Sequence, residues 1–166
     1  MKLLTVAIPC YNSSEYMDKS IRSAISGGDR VEVVVVDDGS FDNTLEIANK
    51  YQKKFPDIVK VVHQENGGHG EAVNTGIKNA TGLYFKVLDS DDCLGKNALQ
   101  KVLDLLEDMV SKDAGLDMLI SNFMYDKQGA KHKKIMKYKS AMPVGRMFGW
   151  DELHFGTSQY LLMHSV

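Results

Sequence analysis

Short apolar runs alternate with amphipathic segments through the first two thirds of the chain. Leu3 to Ile8 is the first run, and Val31 to Val36 is β-branched and almost wholly apolar, as a strand covered on both faces should be. Two further runs, at 58–62 and 83–88, complete a set of four predicted strands.

The segments between these strands repeat apolar residues at helical spacing. Asn12 to Glu15 has the spacing of a capping box for the first helix, and Asp42 is placed to cap the second. The third helix is predicted to begin at Gly70 and to run to the terminator Gly82, and the fourth to start near Lys96. The residues predicted to face inward are Met17, Ile21, Ala24 and Ile25; Leu45, Ala48, Tyr51 and Phe55; Val73, Ile77 and Ala80; and Leu99, Val102, Leu103, Leu106, Met109 and Val110.

Strands separated by helices of this length predict an α/β fold with a mostly parallel central sheet and helices on both faces, an α/β/α sandwich. Residues 118–125 and 131–139 predict an antiparallel hairpin that extends the sheet. The Gly- and Met-rich stretch from Met142 onward predicts no element. The prediction is one domain over residues 1–166, consistent with the chain length.

Composition narrows the class of protein. The formal net charge is −2, so no strong field favours nucleic acid as a partner. No apolar run approaches the roughly 20 residues that span a bilayer, and the apolar start Met1 to Ile8 is predicted to be a buried strand instead of a signal peptide. Cys10 and Cys93 lack metal-ligand spacing, which favours free thiols and a cytoplasmic location.

Two acidic clusters follow predicted strands, where ligands bind in an open parallel sheet. They are Asp37-Asp38 and Asp89-Ser90-Asp91-Asp92. Alternate residues of extended chain point the same way, so Asp89 and Asp91 can address one site. Crowded carboxylates need a cation or hydrogen-bond donors to stay ionised, and hard oxygen ligands favour Mn²⁺ or Mg²⁺. The alternative is that Asp91 and Asp92 only form the turn and cap the next helix.

Four sequence blocks occur in an order and spacing that are specific as a set. They are Val6-Ala7-Ile8-Pro9-Cys10-Tyr11-Asn12; 33–44, with Asp37-Asp38-Gly39-Ser40 at its centre; Ala72 to Ile77, followed by Ala80-Thr81-Gly82; and Leu88-Asp89-Ser90-Asp91-Asp92. Over roughly residues 3 to 95 they resemble the family-two inverting glycosyltransferases with the GT-A fold.

The resemblance implies transfer of a sugar from a nucleoside-diphosphate donor, with UDP favoured, to an acceptor hydroxyl with inversion, assisted by Mn²⁺ or Mg²⁺. It further implies a role in polysaccharide biosynthesis at the cell envelope, with a glycan or lipid-linked acceptor. Pro9 and Tyr11 would line the base pocket, with Tyr11 stacking on the ring, and Asp38 would accept a hydrogen bond from the base. Asp89 would lie at the ribose or metal, and Asp91 would be the direct metal ligand. Asp37 would shape the turn.

The chain departs from the family pattern at Val73, where many relatives carry an Arg that contacts the donor phosphates. Gly70 leaves backbone N–H groups free at a helix N-terminus, which favours anions, although a flexible turn is an equal alternative. His69 can reach a phosphate or sugar or be a solvated loop histidine, and Asn12 can cap a helix or contact the ligand.

Later features carry weaker signals. A lysine-rich hairpin can meet an acidic acceptor or the inner face of the cell membrane, through peripheral association of the full-length enzyme, but lysines also protect an exposed edge strand. These lysines are Lys131, Lys133, Lys134, Lys137 and Lys139, and the residues that could border the donor sugar are Trp150, Asp151, Glu152 and His154.

A Rossmann oxidoreductase needs G-x-G-x-x-G after the first strand, where this chain has Pro9-Cys10-Tyr11-Asn12. An aspartyl phosphotransfer protein would explain only one of the two acidic clusters. A non-catalytic module that binds the nucleotide-sugar without transfer is the other alternative. Single-displacement inversion needs a general base. In the family this carboxylate follows the hairpin and a further segment, so we expect it beyond Val166 and expect the chain to stop before the acceptor-binding region.

Overall fold

The computed structural model describes residues 1–125, 134–139 and 142–152. The elements, in chain order, are β1 (Leu4–Cys10), α1 (Met17–Ile25), a 3-10 turn (Gly28–Arg30), β2 (Val31–Asp38), α2 (Thr44–Lys54), β3 (Val59–Gln64), α3 (His69–Lys78), β4 (Tyr84–Val87), α4 (Lys96–Ser111), β5 (Phe123–Tyr125), β6 (Lys134–Met136) and a second 3-10 turn (Trp150–Glu152). The four predicted strands and four predicted helices of the first part are therefore confirmed. Two compact units are present, Met1–Asp113 and Ala114–Val166.

The first unit is built on a parallel sheet with the strand order β3-β2-β1-β4. Every residue of β1 is buried, and so is every residue of β2 except Glu32, because both central strands are covered on both faces. This arrangement brings the carboxyl ends of β1, β2 and β4 to one edge, and the predicted site residues Tyr11, Asp38 and Asp89 lie at or just beyond these ends.

Helix α3 packs through smaller side chains than the sequence predicted. Ala72 and Gly76 are its buried residues, whereas Ile77 is 53% exposed, so the predicted inward face with Val73 and Ile77 was wrong. A Cβ built on Gly76 would lie 2.7 Å from the Cβ of Ala7. The helix therefore approaches β1 more closely than a branched side chain allows.

The predicted helix starts also need correction. Helix α1 begins at Met17 with Tyr16 in the capping position and no side-chain cap, so the predicted capping box at Asn12 to Glu15 does not form. For α2 the capping position is Asn43, and Asp42 lies one residue earlier. Its carboxylate nevertheless accepts a hydrogen bond from the Thr44 N–H at 3.0 Å.

In the second unit, β5 and β6 pair antiparallel, with Phe123 opposite Met136. The predicted hairpin is confirmed, but in the described part of the chain it forms a sheet of its own and does not extend the parallel one. Of the residues singled out from the sequence, Lys131, Lys133 and His154 lie outside the described residues. No helix in the described ranges is long and apolar enough to cross a membrane.

Candidate functional site

A cavity of about 310 Å³ opens at the carboxyl ends of β1 and β4. It is lined by Pro9, Tyr11, Ser13, Tyr16, His69, Asp89, Ser90 and Asp91. Four of the six residues predicted for the nucleotide and metal, Pro9, Tyr11, Asp89 and Asp91, thus share one cavity. Asp38 and Gly70 are not part of its lining.

The loop after β1 is tied to the loop after β2 by hydrogen bonds. The Ser13 N–H donates to Thr44 Oγ1 at 2.7 Å, and the Ser14 N–H donates to Asp42 Oδ2 at 3.0 Å. Partial burial favours the neutral form of Asp42, but the hydrogen bonds from Thr44 and Ser14 outweigh it and lower the pKa of this carboxyl to about 2. Asp42 therefore stays ionised and holds the two loops together at neutral pH.

Tyr11 stands at the mouth of the cavity. Its side chain is 46% exposed and contacts the ring of Phe41 edge-on, with centroids 6.5 Å apart. An exposed aromatic face beside a polar cavity is suited to stacking on a planar ring.

The acidic loop after β4 is held by serines of α1 and of the segment before it. Ser13 Oγ and Ser90 Oγ are 2.9 Å apart, and Ser20 Oγ donates to the Asp89 carbonyl at 3.3 Å. The Asp92 N–H closes a turn on the Asp89 carbonyl at 3.0 Å. These contacts fix the backbone and leave the Asp89 and Asp91 carboxylates exposed to solvent.

The carboxylates of this loop repel one another. Partial burial, followed by the charges of Asp91 and Asp89, raises the pKa of Asp92, while the cations Lys86 and Lys19 oppose the rise. Burial lowers the pKa of Lys86 on β4, and the charges of Asp92 and Asp89 act against that. The loop thus carries negative charge that the neighbouring amines only partly offset.

His69, the first residue of α3, faces this charge. Its Nε2 lies 3.9 Å from Asp89 Oδ1, and its side chain is 66% exposed. The structure places His69 on the cavity wall with most of its side chain in solvent, so both alternatives for this histidine stay open.

Asp38 is turned toward the protein. It is 3% exposed, and its carboxylate accepts hydrogen bonds from Gln64 Nε2 (2.7 Å), the Gly67 N–H (2.8 Å) and the Gly68 N–H (2.9 Å). Gly39 follows at φ 69°, and a Cβ there would lie 2.8 Å from the Asn66 nitrogen, which explains why glycine occupies this position. Asp38 therefore shapes the glycine-rich loop that leads into α3.

Asp37 is fully buried at the end of β2. Its Oδ2 lies 2.7 Å from His63 Nδ1, and its Oδ1 accepts the Ser40 N–H at 3.4 Å. The second contact matches the predicted turn-shaping role. His63 was not singled out from the sequence, and nothing in its local pattern marks it, because its partner is 26 residues away.

The side chains of the cavity show which residues could bind a divalent metal ion. Within the described residues no group of three or more His, Cys, Asp and Glu side chains could hold a metal, so a protein-only cage is absent there. Asp89 and Asp91 supply two exposed carboxylates on one cavity wall, and one or two carboxylates completed by phosphates and water is how Mg²⁺ is commonly held. The residues fit an ion shared with a phosphorylated ligand.

A cavity beyond the carboxyl ends of parallel strands is where open α/β proteins bind their ligands, nucleotides among them. A family model described as Glycosyl transferase family 2 matches residues 5–161. The chain belongs to this family, and its fold is the GT-A fold that the sequence predicted.

Three relatives illustrate the similarity. The minor teichoic acid biosynthesis protein GgaA of Bacillus subtilis is 29% identical over 92% of this chain and 35% of its own length. TarS of S. aureus, solved as residues 1–349 in complex with UDP-GlcNAc, is 35% identical with a TM-score of 0.57, over 66% of this chain and 32% of the solved TarS chain. The mannosyltransferase PcManGT of Pyrobaculum calidifontis, solved with GDP-Man and Mn²⁺, is 27% identical with a TM-score of 0.54, over 60% of this chain and 31% of that one. The chain spans less than two fifths of the length of these relatives.

Proposed function

We propose that this chain forms the donor-binding part of an inverting glycosyltransferase that uses a UDP-sugar and a divalent metal, Mn²⁺ or Mg²⁺. The observation that carries the proposal is the single cavity in which the aromatic Tyr11 and the carboxylates of Asp89 and Asp91 meet. A nucleotide-sugar presents a planar base at one end and a diphosphate at the other, so these two kinds of side chain match its two ends. The ligands bound to TarS and PcManGT support this class of donor.

At the base end, Pro9 and Tyr11 bind the ring, with Tyr11 stacking on its face. Asp38 is proposed to accept a hydrogen bond from the base through Oδ2, which receives one hydrogen bond within the protein, whereas Oδ1 receives two. A carboxylate oxygen has room for two donors. The proposal therefore requires Asp38 to hold the glycine-rich loop and the base at the same time.

At the diphosphate end, Asp89 and Asp91 would hold the metal, with Asp91 as its direct ligand and Asp89 also near the ribose. The bound ion would neutralise the charge that develops on the departing diphosphate. Gly70 lies in the first turn of α3, where backbone N–H groups and the helix dipole favour an anion. A Cβ at Gly70 would meet nothing within 4 Å, so a phosphate has space to approach.

Transfer to the acceptor, for which we propose a glycan or lipid-linked hydroxyl, needs a carboxylate base within hydrogen-bond reach. Glu152 is a poor candidate, because a hydrogen bond from Arg146 and one from the Gly149 N–H lower its pKa. We assign the base to none of the described residues and propose that it follows Val166.

Titration calorimetry of UDP with this chain tests the proposal, in Mn²⁺ and again in chelator. Binding should be tighter in Mn²⁺, because the ion screens the diphosphate from the two carboxylates. Tyr11→Ala should weaken binding by about 1–3 kcal/mol in both conditions, the usual contribution of an aromatic stack. If UDP binds neither in Mn²⁺ nor in chelator, the proposed donor class is refuted. If its affinity is equal in the two conditions, the proposed role of the metal is refuted.

A further inference from the structure

Asn12 adopts a backbone conformation that few side chains tolerate. Its φ is 48°, and Asp113 is the other non-glycine residue with positive φ in the described part of the chain. Asparagine is one of the residues that visits this left-handed region most readily. The position directly follows Tyr11, so it sets the direction in which the chain leaves the aromatic residue of the cavity.

Three polar groups of Asn12 bind three different partners. Its N–H donates to Ser40 Oγ at 3.0 Å, and its Oδ1 accepts the Phe41 N–H at 2.9 Å. Its carbonyl accepts the Tyr16 hydroxyl at 3.4 Å. The side chain therefore does not cap α1, and its oxygen is engaged by the loop after β2.

These contacts converge on the aromatic side of the cavity. Tyr11 and Tyr16 both line it, and Phe41, held by the Asn12 amide, packs its ring edge-on against Tyr11. Phe41 itself is 88% exposed, so burial does not fix its place beside Tyr11. The hydrogen bond from the Phe41 N–H to Asn12 Oδ1 holds the backbone from which this ring reaches Tyr11.

We infer that Asn12 is a positioning residue, which holds the Tyr11 ring ready for the nucleobase by locking the loop after β1 to the loop after β2. This inference rests on the proposed function, because it takes the base to stack on Tyr11. A glycine at position 12 would keep the left-handed backbone and lose the acceptor. An aspartate would keep both, and an alanine would lose the acceptor and strain the backbone.

A double-mutant cycle separates positioning from general stability. We expect Asn12→Gly to weaken UDP binding in chelator about tenfold, Asn12→Ala to weaken it more, and Asn12→Asp to stay within about threefold of the unaltered chain. In the Tyr11→Ala background, Asn12→Gly should change the affinity less than twofold, since the ring it positions is gone. The matched control is Asn43→Ala in the neighbouring loop, an exposed asparagine that makes no side-chain capping hydrogen bond.

Pyrophosphate is the second probe, because it lacks a base. Its affinity in Mn²⁺ should not change in Asn12→Gly. If Asn12→Gly weakens UDP binding as much in the Tyr11→Ala background as in the unaltered chain, its role is merely structural and the inference is overturned. The same holds if it weakens pyrophosphate binding as much as UDP binding. If Tyr11→Ala weakens UDP binding and Asn12→Gly does not, the inference fails while the proposed function stands. No UDP binding by the unaltered chain would overturn both.

Discussion

Replacing Asp38 by Asn tests whether this carboxylate organises the glycine-rich loop. The buried Asp38 accepts three hydrogen bonds, two on Oδ1 and one on Oδ2. An asparagine can keep its carbonyl toward Gln64 and Gly67, but its NH₂ group then faces the Gly68 N–H, donor against donor. One hydrogen bond to a charged group is lost, and the other two weaken as their acceptor becomes neutral.

The expected loss of stability follows from these contacts. A hydrogen bond to a charged group contributes about 1.5–3 kcal/mol, and an unpaired buried donor costs about 1–3 kcal/mol more. Gly68 is exposed, so water satisfies part of the second cost. We therefore expect Asp38→Asn to lower the free energy of unfolding by about 2–3 kcal/mol.

Urea denaturation followed by circular dichroism measures this loss. With an m-value of about 2 kcal/mol per molar urea, the midpoint should fall by about 1 M or more. Amide exchange at Gly67 and Gly68 should accelerate, because their acceptor is weakened. The matched control is Glu65→Gln, the same change of charge on an exposed residue next to the loop. A midpoint for Asp38→Asn that equals the control's, with unchanged exchange at both glycines, would refute the reasoning.

Three further predictions concern other parts of the first unit. Asp91→Ala should abolish the difference between UDP affinities in Mn²⁺ and in chelator without lowering the melting temperature, because the residue is exposed; a retained difference would remove Asp91 from the metal site. Gly76→Ala should lower the free energy of unfolding by up to about 2 kcal/mol in a urea titration, because overpacking against Ala7 costs about 1–3 kcal/mol and the gain in helix propensity returns about 1 kcal/mol. The control Gly70→Ala, whose Cβ would meet nothing within 4 Å, should not destabilise. Burial, reinforced by the charge of Asp37, raises the pKa of Cys10 from 9.0 to about 12, so the folded state holds this proton more tightly than the unfolded chain does. The free energy of unfolding should therefore fall as the pH rises from about 9 to about 12, by up to about 1.4 kcal/mol per pH unit. Unfolding free energies across that range should fall less steeply in Cys10→Ala, and parallel curves would contradict the assignment.

The sheet was predictable because its central strands are almost wholly apolar. Val31 to Val36 can only be satisfied by cover on both faces, and β2 is buried along almost its whole length. The inward face of α3 was not predictable in the same way. Hydrophobic spacing selects Val73 and Ile77, whereas the contact is decided by how close the helix comes to Ala7, and only a small residue fits at Gly76.

The cavity was predicted in part for a similar reason. Tyr11, Asp89 and Asp91 follow strands whose ends must meet in a parallel sheet, so topology alone brings them together. The orientation of Asp38 depends instead on Gly67 and Gly68, about thirty residues later. A pattern read along the chain contains no information on which of two adjacent carboxylates turns inward or on what satisfies it.

The serine contacts that α1 and the segment before it make with the acidic loop bear on protein engineering. Ser13 meets Ser90, Ser20 meets the Asp89 carbonyl, and Ser23 Oγ accepts the Leu94 N–H at 2.9 Å. The loop therefore takes its shape from a segment some seventy residues earlier, and a graft of the loop alone onto another scaffold would lose three anchors at once. A transplanted acidic motif must bring residues 13–25 with it, so that Ser13 and α1 together keep holding the loop.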